Sequence, residues 1–255
     1  MGWLPHPQGI GRDNVRMAGL LEVLVLHDND ARRAEEGGAD RVELVGSFDD
    51  GGMSPEPRMV ARVRAVTTIQ LRPMVRLREG FSTDGGEFTR LRGLIASYRD
   101  AGADGMVFGF LNGIGEVDRE VCAALTEGGT WPWTFHRAVD SVLDADKAWR
   151  ALLRLPRLDQ VLTAGSPRGV DAGLDELLRL ARSDAGIAGL MMVGGGLLPE
   201  HVPWLARAGV RAFHIGRPAR PLGSFKAYVD APLVHTWRSL IDDAVRHVTL
   251  PRAAG

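Results

Sequence analysis

Short apolar runs alternate along the chain with longer stretches of helical character. The spacing is roughly 30 residues, the rhythm of repeated βαβ units around a parallel sheet. The runs predict strands over residues 21–26, 41–45, 69–76, 105–110, 133–137, 160–165, 189–194 and 212–217. Between them, residues 28–36, 87–101, 144–153 and 171–182 predict helices, and a last helix is expected over 233–248. The helix-to-strand turns resemble one another: Gly38-Ala39-Asp40, Gly102-Ala103-Asp104 and Gly209-Val210-Arg211. A glycine after the last helical residue takes the left-handed conformation at little cost and turns the chain back toward the sheet. Eight strands joined in this way predict a single (β/α)8 TIM barrel with a C-terminal helical extension. A doubly wound open sheet is the alternative, but no GxGxxG follows the first strand.

Side chains alternate along a strand, so the face turned to the surrounding helices should be the apolar one. In the second strand Val42 and Leu44 make that face and send Glu43 inward. The same parity turns Glu22, Arg72, Met74, Arg76, Thr134, His136 and His214 into the barrel, and Thr163 is assigned there as well. Barrel interiors are normally filled by Val, Ile and Leu. Two carboxylates, two guanidiniums and two imidazoles inside cost several kcal/mol per ion unless paired. They predict either a self-satisfied salt-bridge network or a site at the C-terminal face, where barrel sites lie. Gly194-Gly195-Gly196 follows strand seven and Arg217 closes strand eight, the loops that commonly take phosphate. A tight turn explains three glycines equally well. Asp140 can orient His136 or Arg137, or cap the next helix.

Bulk properties narrow the partners. With 45% hydrophobic and 25% charged residues in 255, the chain has ordinary globular composition. A formal net charge of −1 gives no reason to expect nucleic acid. No run approaches a membrane span, and residues 1–19 lack the apolar core of a secretory signal, reading as a flexible leader before a barrel domain over 20–255. The expected setting is the cytoplasm. Lys147 and Lys226 are the only lysines, one expected in a helix and one in the C-terminal tail, which disfavours Schiff-base chemistry. Cys122 is the only cysteine, so an internal disulfide and a cysteine-based zinc site are both excluded.

Several motifs then carry a resemblance. Glu35-Glu36-Gly37-Gly38-Ala39-Asp40-Arg41-Val42-Glu43-Leu44, Gly51-Gly52-Met53-Ser54-Pro55 and Thr134-Phe135-His136-Arg137-Ala138-Val139-Asp140 resemble the CutC family, as do Leu162-Thr163-Ala164-Gly165, Gly194-Gly195-Gly196 and Phe213-His214. The resemblance runs from about Leu20 to Arg217. It implies a TIM-type barrel, a role in copper homeostasis, Cu(I) as the metal, and a cytoplasmic homodimer. It also implies cysteines in strand one and at the end of strand two, where this chain has Leu24 and Val45. Cu(I) prefers soft sulfur, so tight Cu(I) binding is not expected, and neither another metal ion nor an organic cofactor is assigned.

Two functions are therefore weighed: a CutC-like copper homeostasis protein, and an isomerase, lyase or hydrolase acting on a small anionic or phosphate-like ligand. The second would use Glu22, Glu43, His136 and Asp140 as catalytic groups, with Glu43 and His136 as the acid/base pair. Arg76, Arg137, Thr163, Gly194, Gly195, Gly196, His214 and Arg217 would hold the anion. A divalent site from Glu22, Glu43, His136 and His214 falls under the same heading. An interaction scaffold explains neither the polar interior nor the glycine loop.

Overall fold

The computed structural model describes residues 19–48 and 52–249; the predicted leader, except Gly19, lies outside them. Eight parallel strands are arranged in the order β3-β2-β1-β8-β7-β6-β5-β4. They are β1 Leu20–Val25, β2 Arg41–Leu44, β3 Gln70–Pro73, β4 Met106–Phe108, β5 Trp133–Phe135, β6 Leu158–Thr163, β7 Met191–Val193 and β8 Ala212–Ile215. A bridge between Met74 and Val107 and a hydrogen bond from Val75 N to Val107 O (2.8 Å) bring β3 to β4 and close the barrel.

The helices are α1 Asp28–Glu36, α2 Pro57–Arg64, α3 Gly85–Asp100, α4 Arg119–Leu125, α5 Ala145–Leu152, α6 Val170–Ser183, α7 Ala185–Leu190, α8 His201–Arg207 and α9 Ala231–Thr249. Aspartates set several of their starts. Asp84 accepts from Glu87 N, Asp118 from Val121 N and Asp144 from Lys147 N, each satisfying an amide that the first turn leaves without a partner. Asp144 is thus the cap of α5 rather than its first residue. The predicted seventh strand contracts because Gly189 and Leu190 finish α7, a turn of helix started by the Asp184 side chain on Gly186 N.

Leu21, Val23, Val42, Leu44, Leu71, Val75, Phe213 and Ile215 join the layer of core between sheet and helices. Their strand neighbours fill the barrel instead. Cys122 is buried in that outer core on α4, and burial pushes its thiol up to about 12, so it is chemically quiet. No helix among the described residues is long and apolar enough to cross a membrane.

Candidate functional site at the barrel mouth

The inner positions of β1, β2 and β8 meet in one buried cluster. Pairing in register sets Glu22 beside Arg41 on one side and His214 on the other. Arg41 Nε donates to Glu22 Oε2 at 2.5 Å, and His214 Nδ1 lies 2.8 Å from Glu22 Oε1 and 3.6 Å from Glu43 Oε2. Burial alone would raise the Glu22 carboxyl, but Arg41 and the hydrogen bond to His214 override it and hold Glu22 at about 2. Burial also works against charge on His214, yet Glu22 and Glu43 win and raise it. An ionised Glu22 therefore accepts a hydrogen bond from Nδ1–H of His214, which keeps its proton, and leaves Nε2 as the ring's other polar atom.

Glu43 differs. Burial pushes it up to about 7, with the nearby Glu22 charge adding to the rise and His214 opposing it. Its Oε1 is buried and has no hydrogen-bond partner among the described residues, and Glu43 lines the cleft above. It is a carboxyl poised to gain or lose a proton near neutrality.

His136 stands apart. Its Nδ1 accepts from Ala138 N at 3.2 Å, its ring lies 5.5 Å from that of Phe81, and burial together with the charge of Arg76 lowers it to about 3. It is a neutral imidazole whose ring proton sits on Nε2, a donor rather than a base. The polar interior is thus divided, among the described residues, into the Glu22–Arg41–His214–Glu43 cluster and the Arg76–Phe81–His136 group. A third unit lies deeper: Arg72 donates twice to Asp159 at 2.6 Å and once to Thr134 Oγ1 at 2.8 Å.

The mouth opens into a cleft of about 690 Å³, lined among others by Glu43, Arg76, His136, Arg137, Gly195, Gly196, His214 and Arg217. Glu22 lies beneath it, completely buried. Three expected contributors have other duties. Thr163 shares the parity of Val161, not of the inward Leu162, and its hydroxyl donates to Asp140 Oδ1 at 2.6 Å. Asp140 also accepts from Ala164 N and from Arg137 Nε (2.7 Å), so it positions Arg137 and ties β6 to the turn after β5; no described bond joins it to His136. Gly194 gives His214 room, since a Cβ there would lie 2.8 Å from the His214 Cβ.

Gly195 and Gly196 have φ of 87° and 86°, the left-handed region that glycine enters freely. Their amides donate to no acceptor among the described residues. The Arg137 guanidinium packs against Gly195, within 2.7 Å of where a Cβ would stand. Arg76, by contrast, has its described contacts with Gly52, Ser54, Gly80 and Phe81 on the β2 and β3 loops. Arg217 lies over the rings of Phe48 and Phe225. Arg137 is thus the arginine that the fold brings to the glycine loop.

Parity with Glu43 was enough to find Arg41, which sequence reasoning passed over. Asp159 was missed because it precedes the predicted strand and sits at a register shift, where Leu158 and Gln160 pair with successive residues of β5.

The positions for which thiolates are implied do not suit Cu(I). Leu24 and Val45 pack with Met74 and Val107 in an apolar cluster, and Met74 offers the only sulfur in it. The Met192 sulfur already accepts from Arg41 at 3.1 Å. Glu22, Glu43 and His214 have ligand atoms within 4.8 Å of one another, but oxygen and imidazole ligands are harder than Cu(I) prefers.

A sequence model of the CutC family matches residues 20–218. A family protein CutC of Klebsiella pneumoniae (strain 342) is 34% identical over 200 residues, covering 76% of this chain and 78% of that one. The human copper homeostasis protein cutC homolog is 34% identical over 198 residues, covering 76% and 72%. The fold is similar to the crystal structure of a putative copper homeostasis protein CutC from Streptococcus agalactiae, with a TM-score of 0.68 at 24% identity over 78% of this chain and 98% of that one. N-(5'-phosphoribosyl)anthranilate isomerase from Pyrococcus furiosus shares the barrel alone, with a TM-score of 0.59 at 14% identity over 88% of this chain and 99% of that one. On the family match and these identities, the chain belongs to the CutC family.

Proposed function

We propose that this chain binds a small anionic, phosphate-like metabolite in its barrel mouth and moves a proton on it. In this reading, whatever part the chain plays in copper homeostasis, the role its relatives' names carry, does not run through tight Cu(I) coordination. The charge of the cleft carries the proposal. Among its described lining residues are four arginines (Arg76, Arg137, Arg168 and Arg217) against two carboxylates, Glu43 and Asp140. Glu43 is largely uncharged below about pH 7. The anion sits at the Gly195 and Gly196 amides beside Arg137, with Arg76 and Arg217 adding positive potential around the rim.

Glu43 is the proton acceptor, with His214 beside it, and the neutral His136 supplies a hydrogen bond from Nε2. Glu22 keeps His214 oriented and charged. Proton transfer of this kind serves an isomerase, a lyase or a hydrolase. The cytoplasm and a homodimer are the setting the family resemblance implies, and both belong to this reading.

Calorimetry with inorganic phosphate tests it. Wild type should bind in the micromolar to millimolar range, about −4 to −8 kcal/mol. Arg137→Met should weaken binding more than tenfold, the effect of losing a charge-assisted bond worth roughly 1.5–3 kcal/mol. No heat at millimolar phosphate, or equal affinity in a folded Arg137→Met protein, refutes the anion site.

A further inference from the structure

The two sides of the cleft differ in chemistry. Its β6–β7 side offers donors, the Gly195 and Gly196 amides and the Arg137 guanidinium. Its β1–β3 side, beside Glu43 and Arg76, carries an apolar patch. Leu24, Val45, Met74 and Val107 form a buried cluster separate from the helix-facing core, with Phe48 and Phe225 packed against it. Phe48 and Phe225 stack with ring centroids 3.7 Å apart. Leu24, Phe48, Met74 and Phe225 all line the cleft, and Phe81 adds a third ring.

Strand order makes these sides face each other. In a closed barrel that runs β3-β2-β1-β8-β7-β6, the β2–β3 loops lie across the mouth from the β6–β7 loops. Glu43 on β2 and His214 on β8 line the same cleft. Inorganic phosphate would fill the donor side and make no contact with the apolar wall. Ring faces and a thioether favour a flat, polarisable partner through stacking and sulfur–aromatic contact. The wall already engages one planar group, since the Arg217 guanidinium lies 5.8 Å from the Phe48 ring centre and 5.1 Å from that of Phe225.

We infer that the ligand is a planar aromatic compound carrying a single anionic group. Its ring lies against Leu24, Met74 and Phe48, and its anion lies at Gly195, Gly196 and Arg137. This rests on the anion-binding reading above and specifies the other half of the ligand. It also hands Glu43 the stretch of molecule between ring and anion.

Calorimetry with inorganic phosphate, butyl phosphate and naphthyl phosphate separates the possibilities. Burying one ring face, of the order of 60 Å², corresponds to about a tenfold gain in affinity. Naphthyl phosphate should therefore bind at least about tenfold tighter than inorganic phosphate and clearly tighter than butyl phosphate. In Phe48→Ala the naphthyl-to-phosphate ratio should fall to about threefold or less, with Phe48→Leu between. Phosphate binding with no naphthyl gain overturns this inference and leaves the anion site standing. Butyl and naphthyl phosphate binding equally well overturns the aromatic ligand in favour of any apolar one. Silence from all three ligands overturns both readings. The wild-type series decides the matter by itself if the Phe48 variants do not fold.

Discussion

Replacing Glu43 with glutamine should leave stability nearly unchanged at pH 4 and raise it at pH 8. In the folded chain burial holds the Glu43 carboxyl at about 7, against an ordinary value of 4.5. Between those two values the folded state binds more protons at this site than the unfolded state. Stability therefore falls as pH rises through that window, and the loss is complete above pH 7. The gap corresponds to about 3 kcal/mol, at about 1.4 kcal/mol for each pH unit. Glutamine has the same shape and never ionises, so the variant escapes the loss. One effect opposes it. The Glu43 charge helps His214 keep its proton, and the variant gives up that attraction, so a net gain of about 1–3 kcal/mol at pH 8 is expected. Urea denaturation of both proteins at pH 4, 6, 7 and 8, extrapolated linearly to water, measures it. Parallel pH profiles, or a variant less stable than wild type at pH 8, would show that Glu43 is ionised without penalty and remove the proposed base.

Arg41→Met should cost about 3–5 kcal/mol in the same assay, because it strips the guanidinium from a fully buried Glu22. Adding Glu22→Gln should recover part of that loss, and a double-mutant cycle with purely additive effects would refute the pairing. Titration with Cu(I) against a competing chelator under reducing conditions should find no sub-nanomolar site. Tight binding that survives Met74→Ala and Cys122→Ser would reveal ligands other than the sulfurs considered above.

How far the site was legible depended on how local each cause is. Strand parity is local: Val42 and Leu44 seek the helices, so Glu43 goes inward whatever the rest of the chain does. The same argument placed Glu22, Arg72, His136 and His214; the sixth strand, to which it was not applied, is where the assignments failed. Thr163 was assigned to the interior although Leu162 holds that parity, and Asp159 escaped because it is the residue passed over where the register of β6 against β5 shifts. His136 and Glu43 looked alike as acid and base. Burial shifts both in the direction of the neutral form, and neighbours distant along the chain add to it, Arg76 for His136 and Glu22 for Glu43, the latter against the opposing charge of His214.

The sequence alone determined the eight-strand rhythm, the glycine turns from helix to strand, most of the inward polar residues and the family, because each rests on short-range periodicity or contiguous motifs. Tertiary structure decided the partners. Closure of the barrel sets Glu22 between Arg41 and His214, turns Arg137 rather than Arg76 to Gly195, and gathers Leu24, Met74 and the phenylalanines on one wall. Pairings across the barrel depend on strand register and on which loops share the mouth. A buried group's charge depends in turn on how completely the fold removes it from water, and no window of sequence contains that information.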